Sequence, residues 1–195
     1  KGTKTLGQLP ETPELGVVIL PPKLSLEQVE NCAEQGVKAI VILTGGYKDV
    51  QRQKLLSLKE EYGVRILGPN TIMGVINTEN GLNTTFERDV MPPKGNISVV
   101  SQSGGVGAAL LDWTCHYQIG VGKFAFMGDK IDVNDVDLLR YFNEDRETKV
   151  ICLYMEGIEK GREFVEAAQK VVKKKPIVAL KGGEGYNGFF LHNFL

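Results

Sequence analysis

Between positions 99 and 111 the chain reads VVSQSGGVGAALL: an apolar β-branched run, two serines around a glutamine, paired glycines, then residues that favour helix. A strand that turns directly into a helix start presents unpaired backbone N–H groups at the positive end of the helix dipole, which makes it a natural anion site. Gly104 and Gly105 let a bulky oxyanion approach the backbone, and Ser101 and Ser103 can add hydroxyl donors. A tight strand-to-helix connection with Ser103 as the helix cap has at least equal standing on the motif alone. The stretch is not a P-loop, since no Gly-Lys-Ser/Thr closes it. As a dinucleotide fingerprint it fails at Leu110, where a small residue belongs. That argues against a dinucleotide-dependent oxidoreductase. It also lacks the Gly-x-Ser-x-Gly of a nucleophile elbow.

Other reactive side chains are sparse. Glu156 stands in YMEGI at a strand end, where a surface carboxylate is the plainer reading. His116 falls late in the helix after the glycine turn, beside Cys115 and Tyr117, and no catalytic role is expected of it. Asp129, Asp132, Asp135 and Asp137 lie in GDKIDVNDVD. Counted from Asp132, the fifth place of a calcium loop is Val136 and the loop glycine is missing, so a loop and helix cap is expected and no metal. Cys32, Cys115 and Cys152 are odd in number and far apart, in segments that read as helix, helix and strand. They fit small buried hydrophobes of a reducing, cytoplasmic setting better than a disulfide framework.

The elements that must position these groups follow from composition and pattern. The 195 residues are 42% hydrophobic and 24% charged, with 23 Lys and Arg against 24 Asp and Glu. A formal net charge of -1 leaves no field to steer nucleic acid or an anionic membrane surface, so any anion must be caught locally. No apolar run approaches the roughly 18 to 20 residues that span a bilayer. The chain opens on Lys1 and its first strand-like run begins at Gly16, which reads as a truncation or a fragment.

Short apolar runs alternate with amphipathic ones, the pattern of an α/β fold with a parallel sheet. Strands are predicted over 16–20, 39–43, 64–67, 97–100, 122–127, 150–155 and 177–180. Helices are predicted over 25–35, 49–62, 105–117, 133–143 and 161–173, the first opened by a Ser25/Gln28 capping box. The basic run 173–175 before Pro176 fits a helix end facing its own dipole. From 68 to 95 no helix is evident, and Asn, Gly, Thr and Pro are dense. That interval reads as a crossover between domains 1–92 and 93–195, with the boundary near Pro92.

Four ordered motifs carry a resemblance: Leu67-Gly68-Pro69-Asn70-Thr71 followed by Gly74-Val75-Ile76-Asn77; Val100-Ser101-Gln102-Ser103-Gly104-Gly105; Tyr154-Met155-Glu156-Gly157-Ile158; and 175–183, KPIVALKGG. Together they resemble the α-subunit side of the nucleoside-diphosphate-forming acyl-CoA synthetases, the succinyl-CoA synthetase superfamily, in wording closest to the ADP-forming acetyl-CoA type. The resemblance implies an incomplete Rossmann-type CoA-binding domain followed by a flavodoxin-like ligase domain. It implies a reaction in which orthophosphate attacks an acyl-CoA thioester, the acyl phosphate passes its phosphoryl group to a histidine, and ADP receives it. It also implies partners: an ATP-grasp β subunit or fused domain that holds Mg²⁺ with ADP or ATP, and an oligomer.

Carried over by the resemblance, Ser101, Ser103, Gly104 and Gly105 cradle phosphate, and Glu156 accepts the second ring N–H of the histidine and fixes its tautomer. Pro69, Asn70 and Thr71, with Pro21, Pro22, Thr44 and Gly45, line the CoA crevice at the carboxyl ends of strands. For the glycines, plain strand-exit turn chemistry stands beside that role. Two departures matter. The N-terminal glycine-rich turn that grips the CoA phosphates in the family is absent. After Lys181 the chain lacks the Ser-His-Thr-Gly-like segment, so His192 is carried as the candidate catalytic histidine beside the reading that it is a tail residue. A second function therefore stays open, a CoA-binding or regulatory relative that has lost the phosphohistidine.

Overall fold

A computed structural model describes residues 5–87 and 89–182. The described residues fall into two compact units that divide between Ile72 and Met73, with the later segment 128–133 belonging to the first.

The first unit is built on three parallel strands in sequence order, β1 (Leu15–Val18), β2 (Ala39–Ile42) and β3 (Arg65–Leu67), with Val18 opposite Ile42 and Val41 opposite Leu67. The AIVI of β2 is buried on both faces, as a central parallel strand requires. Two helices connect the strands, α1 (Pro22–Glu34) and α2 (Asp49–Tyr62). Val29 and Cys32 of α1 and Leu55 and Leu58 of α2 close the core over Ile40, Ile42 and Ile66.

The expected Ser25 capping box is not the start of α1. Pro22 occupies the first turn, where its fixed φ suits a helix and its missing N–H costs nothing. The N–H groups of Leu24 and Ser25 donate to Pro21 O, and the Ser25 hydroxyl is buried one turn inside, accepting from the Tyr47 hydroxyl.

The second unit holds a six-stranded sheet. Its strands are β4 (Val75–Asn77), β5 (Leu82–Asn83), β6 (Lys94–Ser101), β7 (Val121–Phe126), β8 (Val150–Met155) and β9 (Ile177–Lys181), in the order β5-β4-β7-β6-β8-β9. β7, β6, β8 and β9 are parallel, whereas β4 pairs antiparallel with both β5 and β7. The connecting helices are α3 (Gly104–His116), α4 (Asp135–Glu144) and α5 (Gly161–Val171). Phe124, Phe126 and Leu111 anchor one buried cluster with Met73 and Ile76.

The interval 68–95 is therefore not a bare crossover. Val75–Asn77 is stitched to β7 and Leu82–Asn83 to β4, and the compact units divide between Ile72 and Met73. α4 begins after Asn134, whose side chain accepts from Val136 and Asp137 N–H while Asp137 caps Asn134 N–H in return. Lys175 serves a different helix from the one expected. Its ammonium donates to Phe142 O and Asp145 O, carbonyls at the C-terminal end of α4, where a cation meets the negative dipole end.

Candidate functional site

The strand order of the second unit decides where a ligand fits. From β6 the chain passes through α3 to β7 on one side and then through α4 to β8 on the other. Connections that leave in opposite directions open a crevice beyond the carboxyl ends of β6 and β8, the usual binding place of open parallel sheets. The SQSGG turn follows β6 and the MEG turn follows β8.

Ser101 is fully buried, and its hydroxyl donates to Ser103 O at 2.7 Å. That proton is committed to the turn, so Ser101 shapes the cradle and its hydroxyl is not the offered donor that the sequence led one to expect. Ser103 is the N-cap of α3 and its hydroxyl oxygen accepts Val106 N–H at 3.3 Å. The N–H groups of Gly104 and Gly105 meet no acceptor among the described residues. A Cβ placed on Gly105 would come no closer to anything than 4.0 Å, at Ser103 Oγ, so the approach to this helix end is open. The cap is thus made by Ser103, and the N–H groups of Gly104 and Gly105 are the atoms that an anion at this turn would meet.

Gln102 lies between the two serines and ties the two turns together. Its backbone N–H donates to Tyr154 O at 3.0 Å. Its side-chain oxygen accepts Glu156 N–H at 2.8 Å and Gly157 N–H at 2.9 Å. On the other side, the Lys181 ammonium donates to Glu156 O at 2.7 Å and to Gly182 O at 2.5 Å, and Gly182 N–H donates to Met155 O at 2.8 Å. The backbone around Glu156 is held from both neighbouring strands while its side chain stays exposed. Partial burial, then the adjacent Glu156 carboxylate, push the Tyr154 phenol above its ordinary range. Sequence reasoning passed over Gln102; its place in the middle of the turn was the signal available. His192 and Gly183 lie outside the described residues.

In the first unit, Pro21 and Pro22 follow β1, Thr44 and Gly45 follow β2, and Gly68 to Thr71 follow β3, so all the residues assigned to the CoA crevice meet at one sheet end. Thr44 Oγ1 donates to Leu20 O at 2.7 Å, Asn70 N–H to Thr44 O at 2.9 Å, and Thr71 Oγ1 to Ile42 O at 3.2 Å. Asn70 sits in the left-handed region at φ 63°, which Asn tolerates better than most residues. A Cβ on Gly45 would stand 2.5 Å from Asn70 Oδ1, so any larger residue there must move the Asn70 side chain.

Of the acidic segment, Asp129 and Asp132 belong to this unit, whereas Asp135 and Asp137 open α4 of the second. Asp129 accepts from Asn70 Nδ2 at 3.2 Å and pairs with Arg52 Nη2 at 2.6 Å, while Arg52 Nε donates to Tyr47 O at 3.2 Å. Asp132 accepts from Arg65 Nε at 2.9 Å and from Ile66 N–H at 2.8 Å. Burial would raise the Asp132 carboxyl, but those two hydrogen bonds and the charges of Arg65 and Lys59 outweigh it and hold it below the usual range. Among the described residues no group of three or more His, Cys, Asp or Glu could hold a metal ion. His116 is exposed at the end of α3 with its ring edge-on to Tyr117. The three cysteines are free, and burial pushes their thiols up, away from thiolate chemistry at neutral pH. No helix among the described residues is long and apolar enough to cross a membrane.

Two known domain families match the chain: residues 1–77 match the CoA binding domain and residues 94–188 the succinyl-CoA ligase like flavodoxin domain. The α subunit of acetate–CoA ligase (ADP-forming) I from Pyrococcus furiosus is 38% identical over 192 residues, covering 95% of this chain and 41% of that one. The ADP-forming acetate–CoA ligase of Methanocaldococcus jannaschii is 41% identical over 174 residues, 87% of this chain and 24% of its own. The acetyl-coenzyme A synthetase 1 of Ca. Korarchaeum cryptofilum, solved with phosphate and ADP, superposes with a TM-score of 0.86 at 35% identity, covering 91% of this chain and 39% of that one. The chain thus spans about 41% of the length of the subunit it matches in P. furiosus.

Proposed function

The chain belongs to the succinyl-CoA synthetase superfamily of nucleoside-diphosphate-forming acyl-CoA synthetases, and from that premise we propose that it is the α-side module of an ADP-forming acid–CoA ligase acting on a small acyl group such as acetyl. The supporting observation is the crevice at the carboxyl ends of β6 and β8. There the open N–H groups of Gly104 and Gly105 and the carboxylate of Glu156 sit on turns joined by Gln102.

In this reading the first unit holds CoA along Pro21, Pro22, Thr44, Gly45, Pro69, Asn70 and Thr71. Phosphate attacks the thioester carbonyl carbon, the C–S bond breaks, and CoA leaves as the thiol with an acyl phosphate as the other product. A histidine nitrogen of the longer protein then takes the phosphoryl group, the carboxylic acid departs, and ADP accepts the group to give ATP. The helix end of α3 supplies fixed N–H donors and a positive dipole end where the transferred phosphoryl charge must rest. Glu156 holds the ring N–H opposite the phosphorylated nitrogen and so selects the tautomer. Mg²⁺ and the nucleotide belong to an ATP-grasp partner.

The test uses the full-length protein mixed with its ATP-grasp partner and supplied with acetyl-CoA, ADP, orthophosphate and Mg²⁺. ATP and free CoA forming in equal amounts support the reading. Tight CoA binding without turnover or histidine phosphorylation supports the CoA-binding or regulatory relative instead.

A further inference from the structure

We propose that Gln102 is a positioning residue for Glu156, setting the carboxylate against the phosphate cradle; this rests on the function proposed above. Glu156 and Gly157 follow Met155, the last residue of β8, and so lie past the paired part of the strand. A carboxylate on such a turn would sample many directions, and placing it well is worth more to a reaction than its mere presence. Here the turn is fixed from the β6 side by a single side chain. Gln102 Oε1 receives the N–H groups of both Glu156 and Gly157, at 2.8 and 2.9 Å, and Gln102 N–H reaches Tyr154 O at 3.0 Å.

Two consecutive N–H groups converging on one oxygen fix the backbone on both sides of the Glu156 Cα, and with it the direction of the Cα–Cβ bond. The same residue stands between Ser101 and Ser103, whose hydroxyls build the turn before Gly104 and Gly105. A displacement of one turn is therefore passed to the other through Gln102, in addition to the β6–β8 ladder that ends at Ser101 and Tyr154. Lys181 steadies the Glu156 carbonyl from β9, while Gln102 is bonded to that turn from the glycine turn itself.

The experiment is a double-mutant cycle in the full-length protein with its partner and MgATP, reading the initial rate of histidine phosphorylation, with CoA affinity and thermal midpoint as controls. Gln102→Met keeps the bulk and removes the accepting oxygen. It should slow phosphorylation about 30-fold or more, lower kcat with little change in KM for CoA, and leave CoA affinity as in the wild type. In a Glu156→Gln background the same replacement should cost almost nothing further, since its effect passes through that carboxylate. Gln102→Asn, one methylene too short to reach both N–H groups, gives the same comparison if the Met variant does not fold. A Gln102→Met enzyme as fast as the wild type overturns the inference, and so does an equal fractional loss in both backgrounds. A wild-type protein that takes no phosphoryl group overturns the proposed function and this inference with it, an outcome separate from the other two.

Discussion

Asp132 accepts a hydrogen bond from Arg65 Nε at 2.9 Å across 67 residues of chain, and this bond fastens the returning segment 128–133 onto the strand end of the first unit. The same carboxylate accepts Ile66 N–H, so at the edge of β3 a side-chain oxygen stands where a carbonyl of a further strand would otherwise accept.

The Asp132 carboxyl is held low in the folded protein, which fixes the sign of its pH dependence. A depressed folded pKa contributes stability that is present above the unfolded value, about 3.9, and is lost as pH falls through the folded one. Asp132→Asn leaves Ile66 N–H or Arg65 without its partner and should cost the full-length protein about 1–3 kcal/mol at neutral pH. Denaturant unfolding should show the gap between variant and wild type narrowing below about pH 4; a constant gap down to acid pH would refute the assignment.

Lys123 is a stronger case of paired burial. Its ammonium meets Asp145 Oδ2 at 2.8 Å and Glu79 Oε2 at 3.0 Å with only 9% of the side chain exposed. Thr148 donates to the same Asp145 oxygen and is itself bonded to Ser98 at 2.8 Å. Lys123→Met removes the cation and strands two carboxylates, so a loss of about 3–5 kcal/mol is expected. Restoring part of it with Asp145→Asn in the same protein, read by thermal unfolding, would show that the stranded charge is the cause.

Gly45 and Asn70 test the CoA crevice. Gly45→Ala brings a Cβ to within 2.5 Å of Asn70 Oδ1 and must displace the side chain that donates to Asp129. Titration calorimetry should find CoA affinity lowered about tenfold, or roughly 1.4 kcal/mol. ATP-driven histidine phosphorylation should stay near the wild-type rate, because the phosphate cradle lies in the other unit.

The distribution of what the sequence revealed follows from the range of each interaction. Apolar runs such as AIVI and VICLYM announced β2 and β8, because a strand buried in a parallel sheet has little choice of residue. β4 and β5 went unread, since strands of 3 and 2 residues carry no period and exist through pairing with β7 and with each other. Ser25 looked like a cap because a capping box is local, whereas the true start is fixed by Pro22. At the site, the glycine turn and Glu156 were legible as motifs. Gln102 and Arg52 were not, because their roles depend on partners 54 residues away in one case and on the returning Asp129 in the other.

The most direct test of the phosphate cradle is the initial rate of ATP-dependent histidine phosphorylation in the full-length protein and its partner, compared between wild type and Gly105→Val. The first Cβ at this position has open space, with its nearest neighbour 4.0 Å away, so the helix should fold and the thermal midpoint should hold. A helical Cβ tilts toward the N-terminus, which places the added methyls beside the N–H groups that receive the anion. The account predicts a rate about 100-fold lower, the scale for losing a fixed donor of an oxyanion site, with CoA affinity unchanged. Phosphorylation at the wild-type rate in a folded Gly105→Val protein would contradict it and leave the turn as a strand-to-helix connection only.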